Sequence, residues 1–207
     1  MTMKLHYSPA SPFVRKVWLA VEELGLQDRV ERVPTNPMKR DDMADSLNPL
    51  RKVPCQITED GQTLYDSPVI IEYLDSEHGG NRLIPRSGPE RWTALRLQAL
   101  ADGMMDAAVL AMIEGMRKPE RQSAGWIAHN RSVVERGLAA LDAEAGALKE
   151  EATVGTLAVA VALELLAIHL PDLDWRAEHP ALADWFDAFT RRPSMIATQL
   201  VSPAEVA

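Results

Sequence analysis

Two serines stand where a polypeptide can hold an anion or tune a thiol. Ser11-Pro12 and Ser67-Pro68 each precede a run with helical spacing, and in each pair serine fits an N-cap with proline in the first helical position. Capping alone accounts for either pair and contributes about 1 kcal/mol per serine. A helix N-terminus also exposes unpaired amides and partial positive charge, so two such ends in one short stretch offer two anion sites. Between them runs Arg51-Lys52-Val53-Pro54-Cys55-Gln56-Ile57, a proline directly before a strand. A cis bond there turns the backbone of Val53 outward to meet an extended peptide, whereas a trans proline merely starts the strand. Both geometries fit these residues.

Other reactive side chains carry less. Cys55 is the single cysteine and falls in an apolar strand, which favours a packed thiol over a redox one and excludes an internal disulfide. Histidines 6, 78, 129, 169 and 179 are scattered, with no Cys/His cluster at zinc spacing, so structural or solvated roles are expected. Asp102 and Asp106 lie four apart on one helical face, but with no sugar-binding or metal context they read as interface or solvent charges.

The elements that must position these groups follow from periodicity. Leu5-His6-Tyr7 predicts a strand. A helix with Phe13, Val17, Val21 and Leu24 on its apolar face ends at Gly25. Val30 to Val33 predicts a second strand, and the polar stretch Lys39 to Leu47 a helix. Val53 to Thr58 and Thr63 to Tyr65 predict a hairpin turning at Asp60-Gly61, before a helix from Ser67 to about His78. Beyond Gly79-Gly80 the chain reads as helix almost throughout, over 89–117, 122–149, 154–169 and around Leu182 to Phe189, with a loose tail from Pro203. Residues 154–169 are apolar on every side, the mark of a buried central helix. The expected architecture is a β-α-β-α-β-β-α domain over 1–80, a turn-rich linker over 81–88 and an all-helical domain over 89–207.

Composition narrows the classes. With 207 residues, 46% hydrophobic and 25% charged, the chain can bury a core without staples. Thirty acidic against 22 basic residues give a net charge of −8, shared equally by residues 1–80 and 81–207, which disfavours nucleic acid. No apolar stretch reaches the roughly 18 residues that span a bilayer. The first residues lack the apolar core of a signal peptide, so a cytoplasmic protein is expected.

Tyr7-Ser8-Pro9-Ala10-Ser11-Pro12-Phe13-Val14-Arg15, then Asn48-Pro49, Lys52-Val53-Pro54 and Tyr65-Asp66-Ser67, resemble the glutathione-site motifs of cytosolic glutathione transferases, with a serine-type loop like that of the theta, zeta and tau classes. The resemblance continues through Ala101-Asp102-Gly103, the segment from Thr153, and Leu170-Pro171-Asp172-Leu173-Asp174-Trp175, covering nearly the whole chain. It implies a thioredoxin-like α/β domain followed by an all-α domain, usually in a homodimer. The implied activity is detoxifying transfer of glutathione, as substrate or cosubstrate, to an apolar electrophile without a metal. Alternatives are glutathione-dependent isomerisation, dehalogenation or peroxide reduction, or a non-catalytic binding or regulatory protein.

Carried over by residue, the resemblance makes Ser11 the donor to the glutathione sulfur, with Ser8 as rival. Val53 pairs its backbone with the cysteinyl part, Asp66 and Ser67 hold the γ-glutamyl end, and Lys52 reaches the glycine carboxylate. Arg15 either serves the site or faces solvent. Met105, Ala108, Val109 and Met112 are candidates for the second-substrate pocket. One departure stands out. The capping box usual in the family, Ser/Thr followed three residues later by Asp, reads Thr153-Val154-Gly155-Thr156, so the reciprocal bond is expected to be lost or bridged by water.

Overall fold

The computed structural model describes residues 2–37, 39 and 47–200. The helix expected from Lys39 to Leu47 lies outside that set except for its two end residues, and the tail from Pro203 lies wholly outside it. The described chain forms two compact units, one running through Arg91 and including the segment from Pro193, the other Trp92–Arg192.

The first unit is built on a four-stranded sheet. Strands β1 (Met3–Tyr7), β2 (Val30–Pro34), β3 (Cys55–Ile57) and β4 (Thr63–Leu64) lie in the order β2-β1-β3-β4. β1 pairs parallel with β2, as the crossover through α1 (Pro12–Glu23) requires, and antiparallel with β3, which makes a hairpin with β4. Met3 and Leu5 of β1 are fully buried, and Val17, Leu19, Ala20 and Val21 present the core face of α1. α1 stops where Gly25 takes φ 65°, letting Leu26 donate back to the Val21 carbonyl at 3.0 Å. Helix α2 (Ser67–Glu77) packs beside α1 through Ile70, Ile71 and Leu74, all fully buried.

The end of α2 departs from expectation. Residues 81–88 read as a linker with little to bury, yet Leu83 and Ile84 are 0% and 5% exposed. Asp75 explains their placement. Buried itself, its carboxylate accepts from the backbone N–H of Asn81 and Arg82 at 3.0 Å, Leu83 at 2.9 Å and Ile84 at 3.4 Å. One side chain thereby satisfies a row of amides that a buried loop would otherwise leave unpaired.

Helices α3 (Pro89–Gly115), α4 (Ala124–Ala143), α5 (Val154–His169), α6 (Trp175–Glu178) and α7 (Pro180–Phe189) follow. α5 is the predicted central helix, with every residue from Val154 to Leu163 buried. Gly155 lets it approach α3 closely: a Cβ there would lie 2.6 Å from the Ala94 carbonyl oxygen. The expectation for its cap is corrected. Thr156 donates no charge but has sufficient reach, since Thr153 N donates to Thr156 Oγ1 at 2.8 Å and Thr156 N to Thr153 Oγ1 at 3.2 Å. The hydroxyl of Thr156 also donates to the Glu151 carbonyl at 2.8 Å, so the box closes without the carboxylate.

The segment from Pro193, assigned by sequence to the helical domain, belongs with the first unit. Its short helix α8 (Pro193–Ala197) lies against α1, where Ser194 Oγ donates to Glu23 Oε1 at 2.5 Å.

Candidate functional site

Strand register gathers the sequence-predicted groups at one end of the sheet. His6 stands opposite Cys55, so the end of β1 and the loop leading to Ser11 lie beside Val53-Pro54 at the start of β3. Leu64 stands opposite Gln56, and the next residues, Tyr65, Asp66 and Ser67, run toward that same end. Two helix N-termini and the start of a strand therefore face a common region.

Ser11 is the N-cap of α1, in extended conformation, with its oxygen accepting from Val14 N at 3.3 Å. Its hydroxyl proton has no acceptor among the described residues. A serine so placed can accept from the helix while donating to an anion in front of it, and the helix dipole favours that anion. Ser8, the rival, anchors the loop through its carbonyl, which accepts from Ser11 N at 3.1 Å.

The Val53–Pro54 bond is cis, one of the two geometries the sequence allows. The loop before it is tied by Asn48, which is 1% exposed. Asn48 Nδ2 donates to the Lys52 carbonyl at 2.9 Å, its Oδ1 accepts from Leu50 N at 2.9 Å, and its carbonyl accepts from Arg51 N at 2.8 Å. In sequence Asn48 was only part of a motif, and the turn it builds is the one signal that marks it as a positioning residue. Lys52 is exposed and pairs with no carboxylate among the described residues.

At α2 the boundary shifts by one residue. Asp66, rather than Ser67, is the N-cap residue, extended at φ −95°, with its carbonyl accepting from Ile70 N. The Asp66 carboxylate makes no capping bond and stays exposed. Ser67 is fully buried, and its hydroxyl oxygen has no hydrogen-bond partner. A buried polar atom left unsatisfied in this way calls for an explanation outside ordinary packing.

Cys55 is fully buried, donates weakly to the Leu47 carbonyl at 3.5 Å, and burial pushes its thiol up to about 11. It is a core thiol with no thiolate character at neutral pH. His6 is likewise structural: it sits 3.0 Å from Thr35 Oγ1, and burial holds its pKa below the ordinary value. Among the described residues no group of three or more His, Cys, Asp or Glu has metal-ligand geometry, and no helix is long and apolar enough to cross a membrane.

One of the two alternatives for Arg15 is excluded: it does not face solvent, being 5% exposed, and its Nη2 donates to the Met195 carbonyl of α8 at 3.4 Å. Met105 and Ala108 are 0% exposed within the helical unit. Val109 and Met112 keep partial exposure. Nothing in the spacing of apolar residues on α3 separates these two pairs.

The comparisons with known proteins point the same way as the geometry. The family model for the glutathione S-transferase N-terminal domain matches residues 10–77. YibF of Escherichia coli K12, described as an uncharacterised GST-like protein, is 32% identical over 200 residues, covering 95% of this chain and 98% of YibF. A glutathione transferase family member from Pseudomonas fluorescens Pf-5, crystallised with bound glutathione, is 40% identical with a TM-score of 0.87, covering 97% of this chain and all of that one. A glutathione S-transferase from Methylobacillus flagellatus KT, also with glutathione bound, is 35% identical with a TM-score of 0.90 over 97% of this chain and all of its own. By fold and full-length similarity, the chain belongs to the glutathione S-transferase family.

Proposed function

We propose that the protein is a serine-type glutathione transferase that lowers the pKa of the glutathione thiol and delivers the sulfur to an apolar electrophile. The observation that carries this reading is the buried, partnerless hydroxyl of Ser67 beside the uncapped carboxylate of Asp66. A γ-glutamyl group supplies what both lack. Its carboxylate accepts from the Ser67 hydroxyl and the amides at the N-terminus of α2, and its ammonium pairs with Asp66. The Val53 backbone then pairs with the cysteinyl unit, which directs the sulfur toward Ser11, and Lys52 meets the glycine carboxylate.

In the reaction the thiol proton leaves to solvent, the Ser11 hydroxyl donates to the resulting thiolate, and the sulfur lone pair forms the new bond to carbon as the leaving group departs. A free thiol with pKa near 8.5 is only a few per cent ionised at pH 7. A hydrogen bond to a charged acceptor contributes about 1.5–3 kcal/mol and a helix N-terminus about 0.3–1. Together they lower the pKa by roughly 1–3 units, enough to make thiolate the main form. Met105, Ala108, Val109 and Met112 remain the pocket candidates on α3, Val109 and Met112 being the more exposed. A cytoplasmic, homodimeric detoxification enzyme needing no metal completes the reading.

The test is retention on immobilised glutathione followed by difference absorbance of the bound thiolate. Retention with a thiolate band at pH 7 is expected; failure to bind glutathione overturns the proposal, and binding without the band leaves a non-catalytic binding protein. Ser67→Ala should weaken glutathione binding by about tenfold, the loss of one charge-assisted hydrogen bond. Asn48→Ala should also weaken it by about tenfold through release of the Lys52-Val53 backbone, with kcat at saturating glutathione nearly unchanged. Calorimetric titration and steady-state kinetics check both; a fall in kcat with unchanged affinity would assign Asn48 a different role.

A further inference from the structure

We propose that a cleft in the first unit binds a small planar carboxylate, anchored by Arg32. The cleft, of about 200 Å³, is lined by residues of β1, α1, β2 and the segment Ala197-Thr198-Gln199 at the end of α8. Leu5 and Val14 line its apolar part, Tyr7 and Trp18 contribute ring faces, and Thr198 and Gln199 contribute polar groups. Pro9 and Arg15 also line it, so the cleft runs along the segment Tyr7–Arg15 that contains Ser11, but none of its lining residues is among the proposed glutathione contacts and the inference does not rest on that reading.

Arg32 reaches from β2 over both rings. Its guanidinium carbon lies 4.7 Å from the Trp18 ring centroid and 5.7 Å from that of Tyr7. Stacking of this kind orders the flat guanidinium while leaving its in-plane N–H groups available. Arg32 is exposed and makes no ion pair or hydrogen bond among the described residues, in a chain with 30 acidic residues against 22 basic. Arg29, one turn of chain earlier, shows what an ordinary surface arginine does here: it bonds Glu59 at 3.1 Å and Glu77 at 2.8 Å. The other arginine of the cleft, Arg15, is turned to the Met195 carbonyl.

A preordered fork of donors beside two aromatic faces and an aliphatic floor selects its ligand by chemistry. The fork matches a carboxylate in bidentate geometry, and the rings and aliphatic floor match a flat apolar body. The volume admits about one ring with its substituents, since pockets for drug-sized ligands run to roughly 300–1,000 Å³. A bare anion would leave the apolar walls unused, and a neutral ring would leave the guanidinium unused.

Benzoate titrated into the full-length protein tests this, with benzamide and inorganic phosphate as comparison probes and with glutathione absent or saturating. Benzoate should bind, with benzamide and phosphate each at least about tenfold weaker. Arg32→Gln, an exposed change that should leave the melting temperature within about 2 °C, should weaken benzoate at least about tenfold and leave glutathione affinity unchanged. Saturating glutathione should leave benzoate binding intact. Equal benzoate affinity in Arg32→Gln and the parent, abolition of benzoate binding by glutathione, equal binding of phosphate, or no binding up to about 10 mM would each overturn the proposal.

Discussion

Ser11→Ala should reduce kcat/KM for conjugation to an activated aryl chloride by about 10–100-fold at pH 6.5, and much less at pH 9.5. The hydroxyl bond to the thiolate contributes about 1.5–3 kcal/mol, which raises the bound thiol pKa by roughly 1–2 units when removed. The sign follows from which form the hydroxyl favours. It stabilises the charged sulfur, so the parent keeps thiolate at a pH where the variant has already protonated. Below the parent pKa both fall together with a constant deficit, and above the variant pKa both are ionised and the deficit shrinks to the residual orientation effect. Glutathione affinity should change by no more than about threefold, because the γ-glutamyl and cysteinyl contacts are untouched.

Ser11 also caps α1, accepting from Val14 N, so alanine will destabilise the fold by about 1 kcal/mol as well. Glycine separates the two roles. It costs only a few tenths of a kcal/mol at an N-cap, yet it lacks the hydroxyl. Ser11→Gly should therefore melt close to the parent while sharing the shifted pH profile of Ser11→Ala. A pH profile in either variant that superimposes on the parent's would reduce Ser11 to a cap; the same shift in Ser8→Ala alone would transfer the role to Ser8.

The parts of the molecule legible in sequence were those decided locally. The all-round apolar run of α5 matches residues 154–169 end to end, because no other environment accepts such a helix. The hairpin and the crossover strand order followed from alternation and from Asp60-Gly61. The ends of α1 and α2 were legible to within a residue; the one-residue shift at Asp66 is set by backbone, its carbonyl accepting from Ile70 N while its carboxylate caps nothing, which residue type does not encode. What was not legible depends on distant chain. Arg15 meets a carbonyl 180 residues away, and no local pattern states that the last helix returns to α1. Met105 and Met112 share a residue type and a helix, yet only one is sealed; burial of an apolar side chain is a property of its neighbours. Thr156 shows the converse, where a rule stated by residue type missed a geometry that a shorter hydroxyl satisfies.

Asp75→Ala should be the most destabilising single change outside the apolar core, lowering the apparent melting temperature by about 10 °C. The carboxylate accepts from four consecutive amides. Asn81 and Arg82 are exposed, and their N–H groups can turn to water when the carboxylate is removed. Leu83 and Ile84 are buried, so their amides lose a charged acceptor with no replacement, at roughly 1–3 kcal/mol each for the stranded donor. A total of about 3–5 kcal/mol, at roughly 2–4 °C per kcal/mol for a chain of this size, gives the stated drop. Asp75→Asn should fall between the two: one carbonyl oxygen still serves Arg82 and Leu83, while the amide NH₂ faces the donors of Asn81 and Ile84. Thermal melts followed by circular dichroism check the order, and an Asp75→Ala melt within about 2 °C of the parent would contradict it. The site should be insulated from this damage. Asp75 lies in the last turns of α2 and Ser67 begins it, a separation of about 12 Å along the axis at 1.5 Å per residue. Glutathione affinity measured well below the melt should therefore stay within about threefold of the parent, so that loss of Asp75 reads as loss of fold and loss of Ser67 reads as loss of ligand.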